Sequence, residues 1–265
     1  RLSGMLYRGG TALGSSRSKR FFEYEFRKQA FDNLQNLGIS KLIIIGGDGS
    51  FNALNQFYVD FKVPFAGVPA TIDNDISGTD YCLGVDTALN MIRSSVDSIR
   101  DTASSFSRAF VIETMGRDCG YLAMVSALAN GAEVCLVPEI KYDLEAVGER
   151  LRQQRAAGKR YVLGIVAEGT GMAEPLTRWM GDFLDMDVRL TVLGHVQRGG
   201  SPTVYDRIMA YKFAVAAVDH LLAGDTNRVV TFRNGRFGSS SIHQISDTKH
   251  ECEASLLELV RELSC

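Results

Sequence analysis

The 265-residue chain lacks any basic excess, because 29 Lys and Arg residues face 31 Asp and Glu residues, for a formal net charge of −2 at pH 7. Proteins that bind nucleic acids or anionic membrane surfaces usually carry a strong positive excess. No apolar run approaches the roughly 20 residues of a membrane span, and we expect no signal peptide. We therefore expect a cytoplasmic protein without a nucleic-acid or membrane partner, whose affinity for anions depends on local clusters of basic residues.

The cysteine pattern excludes the usual zinc sites. No CxxC pair and no Cys/His cluster occurs among the five cysteines, which are Cys82, Cys119, Cys135, Cys252 and Cys265. Structural zinc sites need such closely spaced ligands. We expect reduced thiols in a reducing compartment.

What the sequence does contain is a regular alternation of apolar β-branched runs with longer amphipathic stretches. Strands are predicted at KLIIIG, VPFAGV, RAFVIET, AEVCLV, RYVLGIVA and VRLTVLG, and helices at residues 23–38, 87–100, 120–131, 144–155 and 206–224. Apolar strands separated by helices are typical of parallel strands covered on both faces. The pattern predicts an α/β fold with two similar Rossmann-like lobes, each a three-layer α/β/α arrangement around a mostly parallel sheet.

Polar and glycine-rich clusters follow five of the predicted strands, where ligands bind in open parallel sheets. These clusters are GGDGS, TIDND, MGRDCG, EG and GHVQRGG. Ordinary turns also contain glycine and charge, so each cluster alone is equally compatible with a turn. Their recurrence at successive strand ends predicts a binding site.

GGDGS, residues 46–50, can bind an anion through its backbone amides and those of the helix expected to begin near Phe51. Asp48 would repel a bare phosphate, but a Mg²⁺ ion between them removes the conflict. A glycine-rich turn with an Asx hydrogen bond is the alternative interpretation.

Arginines also lie in or beside the loops at the strand ends, namely Arg17, Arg108, Arg117, Arg189 and Arg198. Guanidinium groups match phosphate oxygens in a bidentate manner, so several of them in a slightly acidic protein indicate phosphorylated substrates. His195 is equally compatible with a ligand contact and a structural role.

TIDND, residues 71–75, places two carboxylates at the end of a strand. One can accept the proton of an attacking hydroxyl, the other can help to hold magnesium, and Thr71 can donate to the transferred group. A helix N-cap is the competing interpretation, but one residue suffices for a cap.

Nine elements in order, GGTALGSSR, GGDGS, TIDNDISGTDY, GVDTAL, RDTASS, ETMGRDCG, VPE, AEG and LGHVQRGGSP followed by DR, resemble the 6-phosphofructokinases of the bacterial, ATP-dependent type. The resemblance covers nearly the whole chain, although the family's opening strand and first glycine-rich loop are absent, so we expect the N-terminal segment to be missing. It implies a glycolytic kinase that transfers phosphate from ATP, with Mg²⁺, to the 1-hydroxyl of fructose 6-phosphate.

The resemblance implies that Asp73 is the catalytic base, that Arg117 stabilises the transferring charge, and that Thr71 and Asp75 assist. It places Mg²⁺ on Asp48 and the donor phosphates at Arg17, Ser18, Gly47, Asp48, Gly49 and Ser50. It places the sugar phosphate at Thr71, Ile72, Asp73, Arg108, Met115, Gly116, Arg117, Glu168, Arg189, His195, Val196, Gln197 and Arg198. It also implies a donor lobe of residues 1–84 with 197–247 and a sugar-phosphate lobe of residues 85–196 with 248–265.

The resemblance further implies a homo-oligomer, expected to be a tetramer, in which Arg108 and Arg189 complete the site of a neighbouring subunit. Arg100, Glu133 and Lys159 match an effector site between subunits. Ala157 stands where the family has a lysine, so the match to allosteric control is partial.

The phosphoryl donor depends on two small residues. Pyrophosphate-using relatives carry Asp where this chain has Gly49 and Lys where it has Ala70. An Asp at Gly49 would crowd and repel the α-phosphate of a nucleotide, and Ala70 lacks the cation that a pyrophosphate-using enzyme would need. Both positions therefore favour ATP.

Three alternatives remain to be compared with an ATP-dependent kinase. The first is a pyrophosphate-dependent phosphotransferase, and the second is a non-catalytic regulatory subunit, which would be expected to lose Asp73 or Asp48. The third is a lipid or NAD kinase with a GGDG-type loop, which gives no reason for TIDND and GHVQRGG.

Overall fold

The predicted alternation of strands and helices is present in the computed structural model, which describes residues 4–16, 18–247 and 250–264. Within these residues the strands are β1 (Leu42–Gly46), β2 (Phe65–Pro69), β3 (Ala109–Thr114), β4 (Val134–Leu136), β5 (Val162–Ala167), β6 (Val188–Val192), β7 (Arg228–Arg233) and β8 (Arg236–Ser241). The helices are α1 (Tyr24–Asn36), α2 (Asp48–Phe61), α3 (Val85–Phe106), α4 (Tyr121–Asn130), α5 (Leu144–Ala156), α6 (Ala173–Leu184), α7 (Val204–Ala223), α8 (Ile242–Asp247) and α9 (Ala254–Ser264).

The chain divides into two compact units. Unit 1 comprises Arg1–Thr71, Asp75–Gly84 and Pro202–His250, and unit 2 comprises Ile72–Asn74, Val85–Ser201 and Glu251–Cys265. Each unit contains one four-stranded sheet, with the order β1-β2-β7-β8 in unit 1 and β4-β5-β3-β6 in unit 2. All neighbouring strands are parallel except β7 and β8. The predicted α/β class with mostly parallel sheets is confirmed.

The sheet of unit 2 is covered on both faces. Its core joins alternate sheet residues, such as Val111 and Val166, to Leu151 of α5 and Met180 of α6. Helices α3 and α4 pack against β3 and β5 as well. The residues of β3 are almost entirely buried as a result, which is the continuous apolar pattern of a central parallel strand.

The sheet of unit 1 differs from the prediction at its first strand. Gly67 of β2 lies against Phe51 of α2, since a Cβ there would be 2.7 Å from that ring. On the opposite face, Ile43 and Ile45 of β1 are 40% and 63% exposed. The expectation that every strand is covered on both faces is wrong for β1, because this strand lies at the edge of its sheet and no helix of the described residues covers that face fully.

The β7–β8 hairpin was not predicted from the sequence, although its Asn-Gly pair is a strong local signal for a hairpin turn. Arg233 pairs with Arg236 across a two-residue turn, in which Asn234 and Gly235 have φ values of 51° and 75°. Such turns need positive φ at both central residues, which Asn-Gly tolerates well. Helices α6, α8 and α9 were not predicted either. None of the helices in the described part of the chain is long and apolar enough to cross a membrane.

Candidate active site

In unit 1 the GGDGS stretch is the junction between β1 and α2. Strand β1 ends at Gly46, Gly47 is the extended N-cap with φ −103°, and the helix begins at Asp48. The start near Phe51 was therefore predicted three residues too late. Because the first amides of a helix have no acceptor within it, this junction presents N–H donors and the positive end of the helix dipole to an anion.

Thr71, the first residue of TIDND, lies beside the GGDGS stretch because β1 and β2 are parallel neighbours. Gly46 pairs with Pro69, and the amide of Ala70 donates to the carbonyl of Gly46 over 2.9 Å. A Cβ at Gly47 would lie 3.2 Å from Cβ of Thr71, a closer approach than a side chain usually permits. At Gly49, by contrast, an added Cβ would meet no atom within 4 Å. The space available therefore favours glycine at Gly47 and does not require it at Gly49.

Asp48 is half-buried in the first turn of α2. Its two carboxylate oxygens accept from Nδ2 of Asn52 at 3.1 and 3.0 Å. A single carboxylate beside amides that can bind phosphate is a donor set that suits Mg²⁺, because this ion usually binds one or two carboxylates together with phosphate oxygens. The residues present therefore fit the expected metal.

In unit 2 the central feature is an ion pair between the predicted base and an arginine. Oδ2 of Asp73 lies 3.3 Å from Nε of Arg117, and the exposed fractions of the two side chains are 4% and 52%. Asn74 and Arg117 both have φ of 52°. The left-handed region is uncommon for residues other than glycine and is concentrated at functional sites. The structure thus brings together the predicted base and the arginine that is expected to stabilise the transferring charge.

The helix-cap interpretation of TIDND is wrong. Helix α3 begins at Val85, well after Asp75, and residues 71–76 form no regular secondary structure. Capping of α3 therefore explains none of these polar residues.

Two side chains hold the loop that carries Arg117, which follows β3. Oε1 of Glu168 accepts the amides of Gly116 and Arg117 at 3.2 and 2.8 Å. The carboxamide of Gln197 accepts the amide of Met115 at 3.1 Å and donates to the carbonyl of Gly194 at 3.0 Å. Gln197 is only 1% exposed, so its side chain links the loops after β3 and β6.

Gly169 is predicted to be essential for the position of this loop. A Cβ at Gly169 would lie 2.0 Å from the carbonyl oxygen of Arg117, which is backbone and cannot rotate away. We expect Gly169→Ala to lower the free energy of unfolding by about 1–3 kcal/mol, as small-to-large changes at packed positions do. Urea unfolding measures the difference. Gly164→Ala in β5 is the control, because its Cβ would approach no atom closer than 3.6 Å, and equal losses in both variants would contradict the prediction.

Burial, and then the negative charges of Glu168 and Glu174, raise the pKa of Glu113 from its usual value of 4.5. Glu113 stabilises the folded protein fully when the pH is below 4.5, the pKa of this group in the unfolded chain. This stabilisation is lost as the pH rises through the higher pKa of Glu113 in the folded protein.

Glu113→Gln is therefore expected to be more stable than the parent at pH 7–8, by less than about 1 kcal/mol because the side chain is only partly buried. The difference should disappear towards pH 4. Melting temperatures across this range measure it, with Glu258→Gln on the exposed side of α9 as a control. A difference that does not depend on pH would contradict the assignment.

Comparison with known proteins decides the family. A family model described as phosphofructokinase matches residues 1–221. The chain belongs to the phosphofructokinase family.

Its relatives include proteins named ATP-dependent 6-phosphofructokinase. That of Sulfurimonas denitrificans is 50% identical over 262 residues, which are 98% of this chain and 82% of the relative. That of Staphylococcus aureus is 45% identical over 261 residues, with coverages of 98% and 81%.

Solved structures of the family have the same fold. The phosphofructokinase of Pichia pastoris in the T-state has a TM-score of 0.85 at 32% identity, over 93% of this chain but 31% of that longer chain. A pyrophosphate-dependent phosphofructokinase from Marinobacter aquaeolei has a TM-score of 0.79 at 22% identity, over 97% of this chain and 74% of the other, and this likeness concerns the fold alone.

The remaining residues that the family resemblance singles out lie at several places. His195, Val196 and Arg198 are exposed on the 3-10 turn Gly194–Arg198 that follows β6. Ser18 is exposed where the 3-10 turn Lys19–Phe22 begins. Arg17 lies outside the described residues. Ile72 and Asp75 are half-buried, on either side of the buried Asp73 and Asn74.

Arg108 and Arg189, the two residues matched to the 6-phosphate contacts, share one carboxylate. Their Nε atoms lie 2.8 and 3.0 Å from the two oxygens of Asp187. Because one negative charge faces two guanidinium groups with side chains 38% and 59% exposed, this corner of unit 2 keeps a net positive charge.

The three residues matched to an effector site have contacts within unit 2. Glu133, which is 6% exposed, pairs with Lys159 and accepts the amide of Leu163 at 2.7 Å. Arg100 donates to the carbonyl of Asn130. These contacts connect α3, the end of α4 and β5.

The hydrogen bonds of Asp206 were not predicted from the sequence, where this residue appeared only in the DR pair of the family pattern. This buried carboxylate accepts the hydroxyl of Tyr81 and, over 2.7 Å, the amide of Gly84, just before α3. Its own amide donates to Oγ1 of Thr203, the N-cap of α7, over 3.2 Å. An acidic residue three positions after a threonine is the capping-box signal that could have revealed it.

Proposed function

We propose that this chain is an ATP-dependent 6-phosphofructokinase that phosphorylates the 1-hydroxyl of fructose 6-phosphate to give fructose 1,6-bisphosphate in glycolysis. The structural observation that carries the proposal is the buried Asp73 carboxylate held 3.3 Å from the Arg117 guanidinium. A carboxylate at the end of a strand beside a cation suits a base that takes the proton of a sugar hydroxyl. The names and identities of the relatives, 45–50% over 98–99% of the chain, support the same reaction.

In the proposed mechanism Asp73 accepts the proton of the 1-hydroxyl while the phosphoryl group is transferred in line. Arg117 neutralises negative charge on the transferring group, and Glu168 fixes its position by holding the loop amides. Thr71 donates its hydroxyl to a phosphoryl oxygen. When bound, Mg²⁺ would neutralise charge on the donor phosphates, and Asp48 would hold it.

We assign the donor to unit 1 and the sugar phosphate to unit 2. These units differ from the lobes expected from the sequence at residues 72–74, 197–201 and 248–250. The amides of Gly47–Ser50 at the start of α2 would bind donor phosphates together with Arg17 and Ser18, and Asp75 would support the metal. In unit 2 the sugar phosphate would contact Ile72 and Asp73, and the residues Met115, Gly116, Arg117, Glu168, His195, Val196, Gln197 and Arg198.

Gly49 supports ATP as the donor rather than pyrophosphate. The space around its Cα is open in the protein, so the fold does not require glycine there and the room can serve a larger donor. Ala70, half-buried beside Gly46, provides no cation for pyrophosphate. Two solved pyrophosphate-dependent phosphofructokinases are 22% and 21% identical to this chain.

Arg108 and Arg189 are proposed to complete the sugar-phosphate site of a neighbouring subunit in a homo-oligomer, which we expect to be a tetramer in the cytoplasm. Their shared carboxylate leaves a net positive charge that a phosphate could neutralise. Arg100, Glu133 and Lys159 remain a proposed effector site, although the contacts of Glu133 and Lys159 favour a structural role as well.

The proposed function is tested by measuring fructose 1,6-bisphosphate formation with ATP or pyrophosphate as the donor, with and without Mg²⁺. We expect ATP and Mg²⁺ to be required and pyrophosphate to be inactive. Activity with pyrophosphate alone would establish the alternative enzyme. Binding of both substrates without product would establish a regulatory subunit instead.

A further inference from the structure

Two cysteines of unit 2 lie close together in space although they are far apart in sequence. The sulfur atoms of Cys119 and Cys252 lie within 4.8 Å of one another. Cys119 is 6% exposed and ends the loop that carries Arg117, whereas Cys252 is half-buried and precedes α9. Both are reduced thiols in the structure, at a separation that a modest local movement can close.

A neighbouring carboxylate holds Cys252 against this loop. Oε1 of Glu139 accepts the amide of Gly120, the residue after Cys119, over 2.7 Å, and lies 3.5 Å from the sulfur of Cys252. A hydrogen bond with Cys119, then burial, and then the negative charges of Cys119 and Glu139 raise the pKa of Cys252. Cys252 therefore keeps its proton near neutral pH.

The segment that carries Cys252 is anchored at its other end. Helix α9 packs against α4 and β4, and the amide of Asp143 donates to the carbonyl of Ser264 over 3.0 Å. Cys119 and Cys252 thus lie on two packed segments of the same unit.

We propose that Cys119 and Cys252 form a disulfide when the protein meets a hydroperoxide, and that this bond inactivates the enzyme reversibly. The sulfur of Cys119 attacks one peroxide oxygen and becomes a sulfenic acid, while the other oxygen takes the thiol proton and leaves as water or alcohol. The sulfur of Cys252 then attacks the sulfenic sulfur, and the hydroxyl leaves as water with the thiol proton. Two thiols are oxidised, and one peroxide is reduced.

The bond would disturb the loop because the loop is tightly packed. The two sulfur atoms must approach to roughly 2 Å. The amide of Cys119 donates to the carbonyl of Gly116 over 2.9 Å, and a Cβ at Gly116 would lie 2.4 Å from the carbonyl oxygen of Cys119. The thiol of Cys119 also donates to the carbonyl of Asn74, next to Asp73, over 3.8 Å. A movement of Cys119 is therefore passed to Arg117 and to the backbone beside Asp73.

The test uses the full chain, titrated with hydrogen peroxide and then treated with dithiothreitol. We expect the loss of two thiols, a mass lower by two hydrogens, and a cross-linked peptide that joins Cys119 to Cys252. We expect turnover to fall about tenfold or more, as for other small misplacements of catalytic groups, and to recover on reduction. Cys252→Ser and Cys119→Ser should both lose the cross-link, and Cys252→Ser should keep its turnover in peroxide. Cys82→Ala, a cysteine of unit 1, is the matched control and should respond like the parent.

The effect on turnover rests on the proposed kinase function, whereas the cross-linked peptide is detected without any activity. A chain without kinase activity that still forms the cross-link would therefore contradict the function and not the disulfide. The proposed disulfide would be refuted by any of three results: both thiols remain after peroxide treatment, Cys119 alone is oxidised to sulfinic acid, or zinc is bound between the two sulfurs. A complete cross-link with unchanged turnover in an active enzyme would overturn its regulatory role.

Discussion

Asp73→Ser is expected to lower turnover about 10³-fold while fructose 6-phosphate still binds with near-parent affinity. Removing a general base costs typically 10²–10⁴-fold in rate, and a base that acts only during transfer contributes little to ground-state binding. The Asp73 side chain is 4% exposed, and its Oδ2 lies 3.3 Å from Nε of Arg117.

The measurement is a comparison of steady-state turnover with substrate affinity from calorimetry. Asp73→Asn is the second variant, because it keeps the shape and removes the charge, and it should lose nearly as much turnover as Asp73→Ser. Asp118→Ser, at an exposed carboxylate of the same loop, is the control and should retain activity. Turnover within tenfold of the parent in both Asp73 variants would rule out Asp73 as the base.

Gly49→Asp is expected to lower ATP-dependent turnover at least 100-fold without loss of folding. A carboxylate about 4 Å from a phosphate charge is repelled by about 4 kcal/mol at an effective dielectric constant of 20, and each 1.4 kcal/mol is a factor of ten. An added Cβ meets no atom within 4 Å, and an acid in the first turn of α2 interacts well with the helix dipole. The loss would therefore report on the donor and not on stability.

Gly49→Asn separates charge from size, since its side chain has nearly the same volume and no charge. We expect it to lose less ATP-dependent turnover than Gly49→Asp. The double variant Gly49→Asp with Ala70→Lys should gain measurable turnover with pyrophosphate, because the lysine supplies the missing cation. Unchanged ATP kinetics in the folded Gly49→Asp variant would refute the proposed position of the donor.

The sequence predictions were correct for features encoded by neighbouring residues and wrong where distant parts of the chain decide the structure. Six predicted strands and the family are confirmed, because strand periodicity and short motifs are written in consecutive residues. The start of α2 was misplaced because GGDGS looks like a loop, and its helical first turn depends on Gly47 as an extended N-cap. The exposed face of β1 was missed because the same Ile-rich run is found in central and in edge strands.

The sequence by itself determined the alternating α/β fold, the membership of the phosphofructokinase family and the identity of the polar groups at the strand ends. Only the tertiary structure decided which of these groups meet. The pairing of Asp73 with Arg117, the support of that loop by Glu168, and the approach of Cys119 to Cys252 all join residues distant in the chain. Such contacts depend on strand order and on left-handed loop conformations at Asn74 and Arg117, which no local pattern encodes.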